Sequence, residues 1–393
     1  MIGRVRSTLY RDLALIDPES RALSPGFSIL VEGERIRWIR PVDSEEDPGG
    51  HVELIDAGGT TAVAGMVDAH SHLTLPGGSH WIGHTQDRVE QLIQTAEDNA
   101  RLLRQAGVRW ARDVGAPARD GRAVSLRVRD SWRGRPGYPH VRAAGSWIMK
   151  RDTLPDGGSV EVDDGDQLVA AGERQLDQGA DLIKLYMDGP DRDGAPFSSS
   201  EVRRLVTAAA ARGAKVTAHS TTVDGARAAV EGGVAAIEHG FQLDEDVVQL
   251  MAAQGVALVS TLAVLESWKT FATTTSQPRF TSAEGMAAIA TRQEQARHSV
   301  RLAHRAGVLI ATGTDFGGGS LRANQLAWEI ECLVDAGLPP FDAIQAATCN
   351  GGQLLAEPEA GRLYEGGPAD FVLVHGDPLS DPQAMWRVWR VSW

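Results

Sequence analysis

Cysteine is almost missing: Cys332 and Cys349 are the only two in 393 residues, and neither belongs to a CxxC pair or a Cys/His cluster. That excludes a disulfide framework and a thiolate zinc motif, and it suits a reducing compartment. Long apolar runs are missing as well. No stretch of 18 apolar residues occurs, and the opening MIGRVRSTLYRDLALIDPES holds no signal-like segment, so a cytoplasmic location with no membrane partner is expected. A basic excess is also lacking. Lys and Arg number 39 against 52 Asp and Glu, a net charge of −13, which argues against nucleic acid as a partner. No G-x-G-x-x-G follows an early strand, which removes a dinucleotide-binding sheet, and no internal repeat or low-complexity linker divides the chain. A small-molecule substrate remains the expected partner, with self-association into a homo-oligomer left open.

What is present is an ordinary globular balance, 42% hydrophobic and 23% charged, in a chain long enough for a barrel of about 250 residues plus an appendage. Up to about residue 60, short alternating runs (27-FSILVEG, 35-RIRWIRPV, 52-VELIDAGG) predict small antiparallel strands. The texture then changes to apolar runs that end in polar residues and alternate with helical periodicity. Eight such runs end near 62-AVAGMVDAHSH, 108-VRWARDVG, 140-HVRAAGS, 181-DLIKLYMDG, 215-KVTAHS, 235-AAIEHG, 256-VALVST and 308-VLIATGTD. This predicts an α/β fold, a (β/α)8 TIM barrel over residues 61–360. The tail, 361-GRLYEGGPADFVLVHGDPLSD, returns to short strands, so residues 1–60 and 361–393 are expected to build a small composite β-sandwich domain.

Reactive groups of such a barrel sit at the carboxyl ends of its strands, and there this chain is rich in metal ligands. His70 and His72 close the first run; two residues apart on a strand, they share a face at roughly 7 Å along the chain and can meet on one ion. His219 and His239 close the fifth and sixth, and Asp315 closes the eighth in a glycine-rich setting. Lys184 closes the fourth. As an ammonium it cannot ligate a cation, but carboxylated by CO2 it becomes an anion able to bridge two. Each residue alone has a plainer reading: a hydrogen-bonded histidine, a lysine paired with an acid such as Asp188, a helix-capping aspartate. Their joint arrival at independently predicted strand ends favours a metal centre.

In order along the chain, GMVDAHSHL, GADLIKLYMDG, KVTAHS, AAIEHG and ATGTDFG resemble the amidohydrolase superfamily. So do the opening 29-ILVEGERIRWI and 54-LIDAGGTTAVAGMVDAH and the close 344-IQAATCNGG, and the likeness spans nearly the whole chain. It implies two divalent ions, usually zinc: His70, His72 and Asp315 on the buried ion, His219 and His239 on the exposed one, and carboxylated Lys184 between them. The stretches 107-GVRWARDVGA, 179-GADLIKLYMDG and 237-IEHG look like the branch holding metal-dependent Xaa-Pro and Xaa-Arg dipeptidases and imidazolonepropionase-like hydrolases. This chain departs from that branch at 145-GSWIMKRDTLPDGGS and 187-MDGPDRDG.

The implied activity is hydrolysis of an amide bond, in a dipeptide or N-acyl amino acid, by a hydroxide made between the ions, with Asp315 as proton shuttle. The same site would serve a lactone, carbamate, phosphoester or cyclic ureide, and a non-catalytic metal-binding paralogue is the further alternative. For the substrate, the loop after the third strand offers Lys150 and Arg151 as a carboxylate clamp. His80, His84 and Trp81 after the first strand, and Trp147 after the third, are candidate wall residues, with Trp268 after the seventh.

Overall fold

A computed structural model describes residues 7–48, 51–154, 158–190 and 194–393. Eight parallel strands follow the eight apolar runs: β1 (Met66–Ser71), β2 (Val108–Asp113), β3 (His140–Ala143), β4 (Leu182–Tyr186), β5 (Lys215–Ser220), β6 (Ala236–His239), β7 (Ala257–Ser260) and β8 (Ile310–Thr312). Each pairs with the next in parallel. The β3–β4 junction is a single bridge, Ala144 to Leu182, and a bridge from Ser71 to Phe316 returns the pairing from the end of β8 to β1. Two backbone bonds reinforce that return, Asp315 N–H to His70 O at 2.8 Å and His72 N–H to Phe316 O at 2.9 Å.

Helices stand between successive strands because the intervening segments carry apolar stripes and well-formed ends. Val89–Gln105 buries Leu92, Ala96 and Leu103 on one face. Asp164, Ser198, Thr222, Asp244 and Ser282 each accept a backbone N–H at a helix start. Gly233 and Gly255 close two helices in the left-handed region that glycine enters freely. No helix among the described residues is long and apolar enough to cross a membrane.

The two ends of the chain share one seven-stranded sheet, in the order Val388–Val391, Phe371–His375, Thr60–Ala64, Ser7–Asp17, Ala22–Glu32 and Arg35–Pro41, with Val52–Asp56 also on Ser7–Asp17. By its pairing this is one continuous sheet, with Ser7–Asp17 shared between its halves. A shift in register between Tyr10 and Leu13 lets Ser7–Asp17 carry Val52–Asp56 along its first half and Thr60–Ala64 beyond it. Val52–Asp56 pairs in parallel, against the antiparallel expectation. The run 62-AVAGMVDAHSH also divides. Residues up to Ala64 pair with Phe371–His375, those from Met66 enter β1, and Gly65 turns between them with its N–H on Asp370 O. A side chain at Gly65 would press on Arg109 Cβ, so the crossing between the two sheets needs glycine.

Candidate metal centre

His70 and His72 leave the end of β1 on one face, and Asp315, just past β8, lies against both: its Oδ1 is 3.3 Å from His70 Nε2 and 3.1 Å from His72 Nε2. The three residues are buried, and one potential ligand atom from each falls within 4.8 Å of the others, close enough to hold a metal ion. The other nitrogen of each ring is engaged. His70 Nδ1 is 2.8 Å from Glu238 Oε2, and His72 Nδ1 is 2.7 Å from the carbonyl of Gly115. Carboxylate and carbonyl oxygens only accept, so a ring that holds a single proton on Nδ1 satisfies Glu238 or Gly115 and turns its Nε2 toward Asp315. Burial, with Lys184 nearby, lowers the His70 pKa and keeps that ring singly protonated. Asp315 is held well below the usual carboxylate range: burial alone would raise it, but His70, His72 and His239 outweigh that. Two ring nitrogens and a carboxylate therefore face one point, an arrangement a cation suits.

Beside this trio stand His239 at the end of β6 and His219 near the end of β5. The His239 ring lies 4.6 Å, centroid to centroid, from both His70 and His219. His239 Nδ1 bonds the Thr261 hydroxyl at 2.8 Å, and burial pushes its pKa well down. His219 stacks on Tyr186 at 3.9 Å and donates from Nε2 to Asp188 Oδ2 at 3.1 Å; its Nδ1 is buried without a hydrogen bond. Lys184 lies in the middle of β4, 1% exposed, and its Nζ makes no hydrogen bond either. Burial presses its pKa down to about 8 against the pull of Glu238 and Asp315. Asp188, the acid that could have paired with Lys184, is taken by His219 and Thr221. An amine and an imidazole nitrogen left bare in the interior are costly unless something not yet bound completes them.

The backbone is bent to present these groups. His239 has φ 70° and Asp315 φ 52°, left-handed values that non-glycine residues adopt at a cost and that cluster at functional positions. Gly318 passes so close to the His72 ring that a β-carbon there would overlap it.

A cavity of about 260 Å³ opens over His219, His239 and Asp315. Trp81 lines it, as expected, and so does Trp268, which stands on the helix Leu262–Thr270 and not in a loop. Phe241, Phe271 and Phe280 extend the apolar wall, and Arg279 and Arg292 bring guanidinium groups to it.

The other substrate candidates lie elsewhere. Lys150 closes a short strand, Ile148–Lys150, and points its ammonium at Asp163 O; Arg151 forks onto Asp163 at 3.0 and 2.9 Å. The segment 160-VEVDDGD holds both, Lys150 by a backbone carbonyl and Arg151 by the carboxylates of Glu161 and Asp163, and neither lines the cavity. His84 pairs with Asp87 and His80 lies against Gln277, both exposed. Trp147 packs behind His72 with ring centroids 5.3 Å apart, supporting that ring without facing the cavity. Unforeseen from the sequence were Glu238, Thr261, the dipeptide Arg112-Asp113 and the cationic pair of the cavity. Glu238 is hidden by its neighbour in AAIEHG, and Arg112-Asp113 lies in 108-VRWARDVG, a run read as a strand and as a family likeness but not for its charged pair.

Known proteins agree with this geometry. Residues 61–391 match the Amidohydrolase family. An uncharacterised protein of Mycobacterium bovis is 29% identical over 93% of this chain and 94% of its own. The imidazolonepropionase of Anaeromyxobacter dehalogenans is 27% identical over 91% and 86%. Among solved structures, a Xaa-Pro dipeptidase with bound methionine in the active site superposes with a TM-score of 0.83 at 26% identity, covering 98% of each chain. A fold of eight sequential parallel strands, histidines and an aspartate gathered at their ends, and a family match across more than four fifths of the length together make this chain a member of the amidohydrolase family.

Proposed function

We propose that the protein is a metal-dependent hydrolase that cleaves the amide bond of a dipeptide or N-acyl amino acid, with Asp315 as its proton carrier. In this reading residues 61–360 are the (β/α)8 barrel and residues 1–60 with 361–393 a composite β-domain. The observation that carries the proposal is the convergence of His70, His72 and Asp315 beside a buried, partnerless lysine.

His70, His72 and Asp315 would hold one divalent ion. His239, and His219 through its bare Nδ1, would hold a second, and Lys184 would bridge them once carboxylated. In that modification the neutral Nζ adds to the carbon of CO2 and loses a proton, leaving an anionic carbamate where the structure has an unsatisfied amine. A donor set of imidazoles and carboxylates suits zinc. Bound ions would supply an acidified water, with a pKa near about 7, and a Lewis acid for the substrate carbonyl.

The protein's own groups do the rest. Asp315 takes the proton of the attacking water and returns it to the leaving nitrogen. The aromatic wall excludes water and holds an apolar side chain, while Arg279 and Arg292 suit a substrate carboxylate. These two replace Lys150 and Arg151 as the clamp.

The test is hydrolysis of a panel of dipeptides and N-acyl amino acids beside a lactone, a carbamate, a phosphoester and a cyclic ureide, with zinc and bicarbonate present. Turnover of carboxylate-bearing amides, abolished by chelation, is expected. Turnover confined to the other four classes would replace the amide reading, and no turnover by metal-loaded enzyme would favour a non-catalytic paralogue.

A further inference from the structure

The stretch 107-GVRWARDVGA contains β2, and the two charged residues at that strand's end, Arg112 and Asp113, reach His70 and His72 by separate routes. Arg112 is buried and makes two grips on the His70 segment. Its Nε donates to the carbonyl of Ala69 at 2.5 Å, and its Nη2 donates to Glu238 Oε1 at 2.6 Å. The other oxygen of Glu238 receives His70 Nδ1. Thr217 also donates to Oε1, so this carboxylate is fixed from three sides. Asp113 works one step along: its Oδ2 accepts the N–H of Leu73 at 2.7 Å, and its Oδ1 accepts the N–H of Gly115 at 3.1 Å. Gly115 is the residue whose carbonyl receives His72 Nδ1. Gly115 itself has φ 143°, and a β-carbon there would strike the Trp147 indole, so only glycine brings its carbonyl to His72 at this place.

We infer that the dipeptide Arg112-Asp113 decides which ring nitrogen of His70 and of His72 is left facing a metal ion. Arg112 acts through Glu238 on His70, and Asp113 acts through Gly115 on His72. Both are positioning residues, since neither touches the ring nitrogens that face Asp315. With the acceptors in place the proton stays on Nδ1 and Nε2 is presented bare; without them each ring is free to take the other tautomer or turn away. The inference rests on the reading of His70 and His72 as ligands, but its consequence exists before any metal is bound.

The experiment is nitrogen NMR of metal-stripped, histidine-labelled protein, with His70 and His72 signals assigned from His70→Gln and His72→Gln. Wild type should show both rings protonated on Nδ1. Arg112→Met should remove that signature from His70 and spare His72; Asp113→Ala should do the reverse. Because Arg112→Met leaves Glu238 without its cation in the interior, Arg112→Met/Glu238→Gln serves as a second variant and should disturb His70 alone. Chelator competition should find zinc held about 10- to 100-fold less tightly by each variant. Rings that keep Nδ1 protonation with zinc affinity unchanged in every variant would overturn the inference, as would both rings responding alike to either substitution. A wild type that binds no zinc would sink the hydrolase reading while leaving the tautomers measurable.

Discussion

Lys184 offers a test in which one substitution should push metal-free and metal-loaded protein in opposite directions. Its ammonium is buried with no partner, and its pKa falls from 10.5 to about 8. At about 1.4 kcal/mol per pH unit, that difference makes the buried cation cost the native state about 3 kcal/mol. The sign follows from the native pKa lying below the unfolded one: the penalty is complete below about pH 8 and fades to nothing as the pH rises through 10.5. Lys184→Met keeps the length of the side chain and removes the charge. In CO2-free buffer with chelator, the variant should be more stable than wild type by about 3 kcal/mol at pH 7, and the gap should close toward pH 10.5. With zinc and bicarbonate the order should invert, because a ligand at a thousandfold excess over its Kd stabilises the native state by about 4 kcal/mol, and the variant has lost the bridge. Urea denaturation midpoints at intervals from pH 7 to 10 measure both arms. A metal-free variant less stable than wild type throughout, or a gap that ignores pH, would refute the reasoning.

Asp315→Asn should retain much of the zinc by elemental analysis yet lose on the order of a thousandfold or more in kcat, since an amide can ligate weakly but cannot carry the proton. Gly318→Ala, whose new methyl would overlap the His72 ring, should cost metal affinity while leaving the far-UV spectrum unchanged. Trp268→Ala should raise KM about tenfold for substrates with an apolar side chain and leave kcat nearly unmoved, as removal of a wall demands. His140, packed against Trp110, has its pKa lowered from 6.5 to about 4 by burial and by Arg109 and Arg142. Stability is therefore full above pH 6.5 and lost as pH falls toward 4, by about 2 kcal/mol after discounting partial exposure. His140→Gln should flatten that decline in thermal melts.

The strands and the gathering of His70, His72 and Asp315 are readable because both rest on local properties. A buried strand is a short apolar run, and a residue at its carboxyl end announces itself by breaking the run, as His219 does in KVTAHS and His239 in AAIEHG. What surrounds those residues comes from other strands, which periodicity cannot order in space. Glu238 meets His70 only because β6 and β1 face each other across the interior. Lys150 and Arg151 show the converse error: a cation in the right loop was expected to face the cavity, but Asp163 twelve residues on from Arg151 claims it first. The sheet boundary at Gly65 was likewise invisible, since one apolar stretch passes through it without interruption. Trp268 is not in a loop because the segment after β7 holds three helices, Leu262–Thr270, Pro278–Thr281 and Ala283–Arg305, that bring the aromatic and arginine wall with them.

The place where β8 comes round to meet β1 is held by Asp315 N–H on His70 O and His72 N–H on Phe316 O, so the groups that would grip an ion are also the stitches of the seam. A growing polypeptide cannot assemble this grip until its last ring strand has emerged and found its first. Loading with metal would then fasten a clasp across the final closure, and uptake of the ion becomes a timestamp for completed folding.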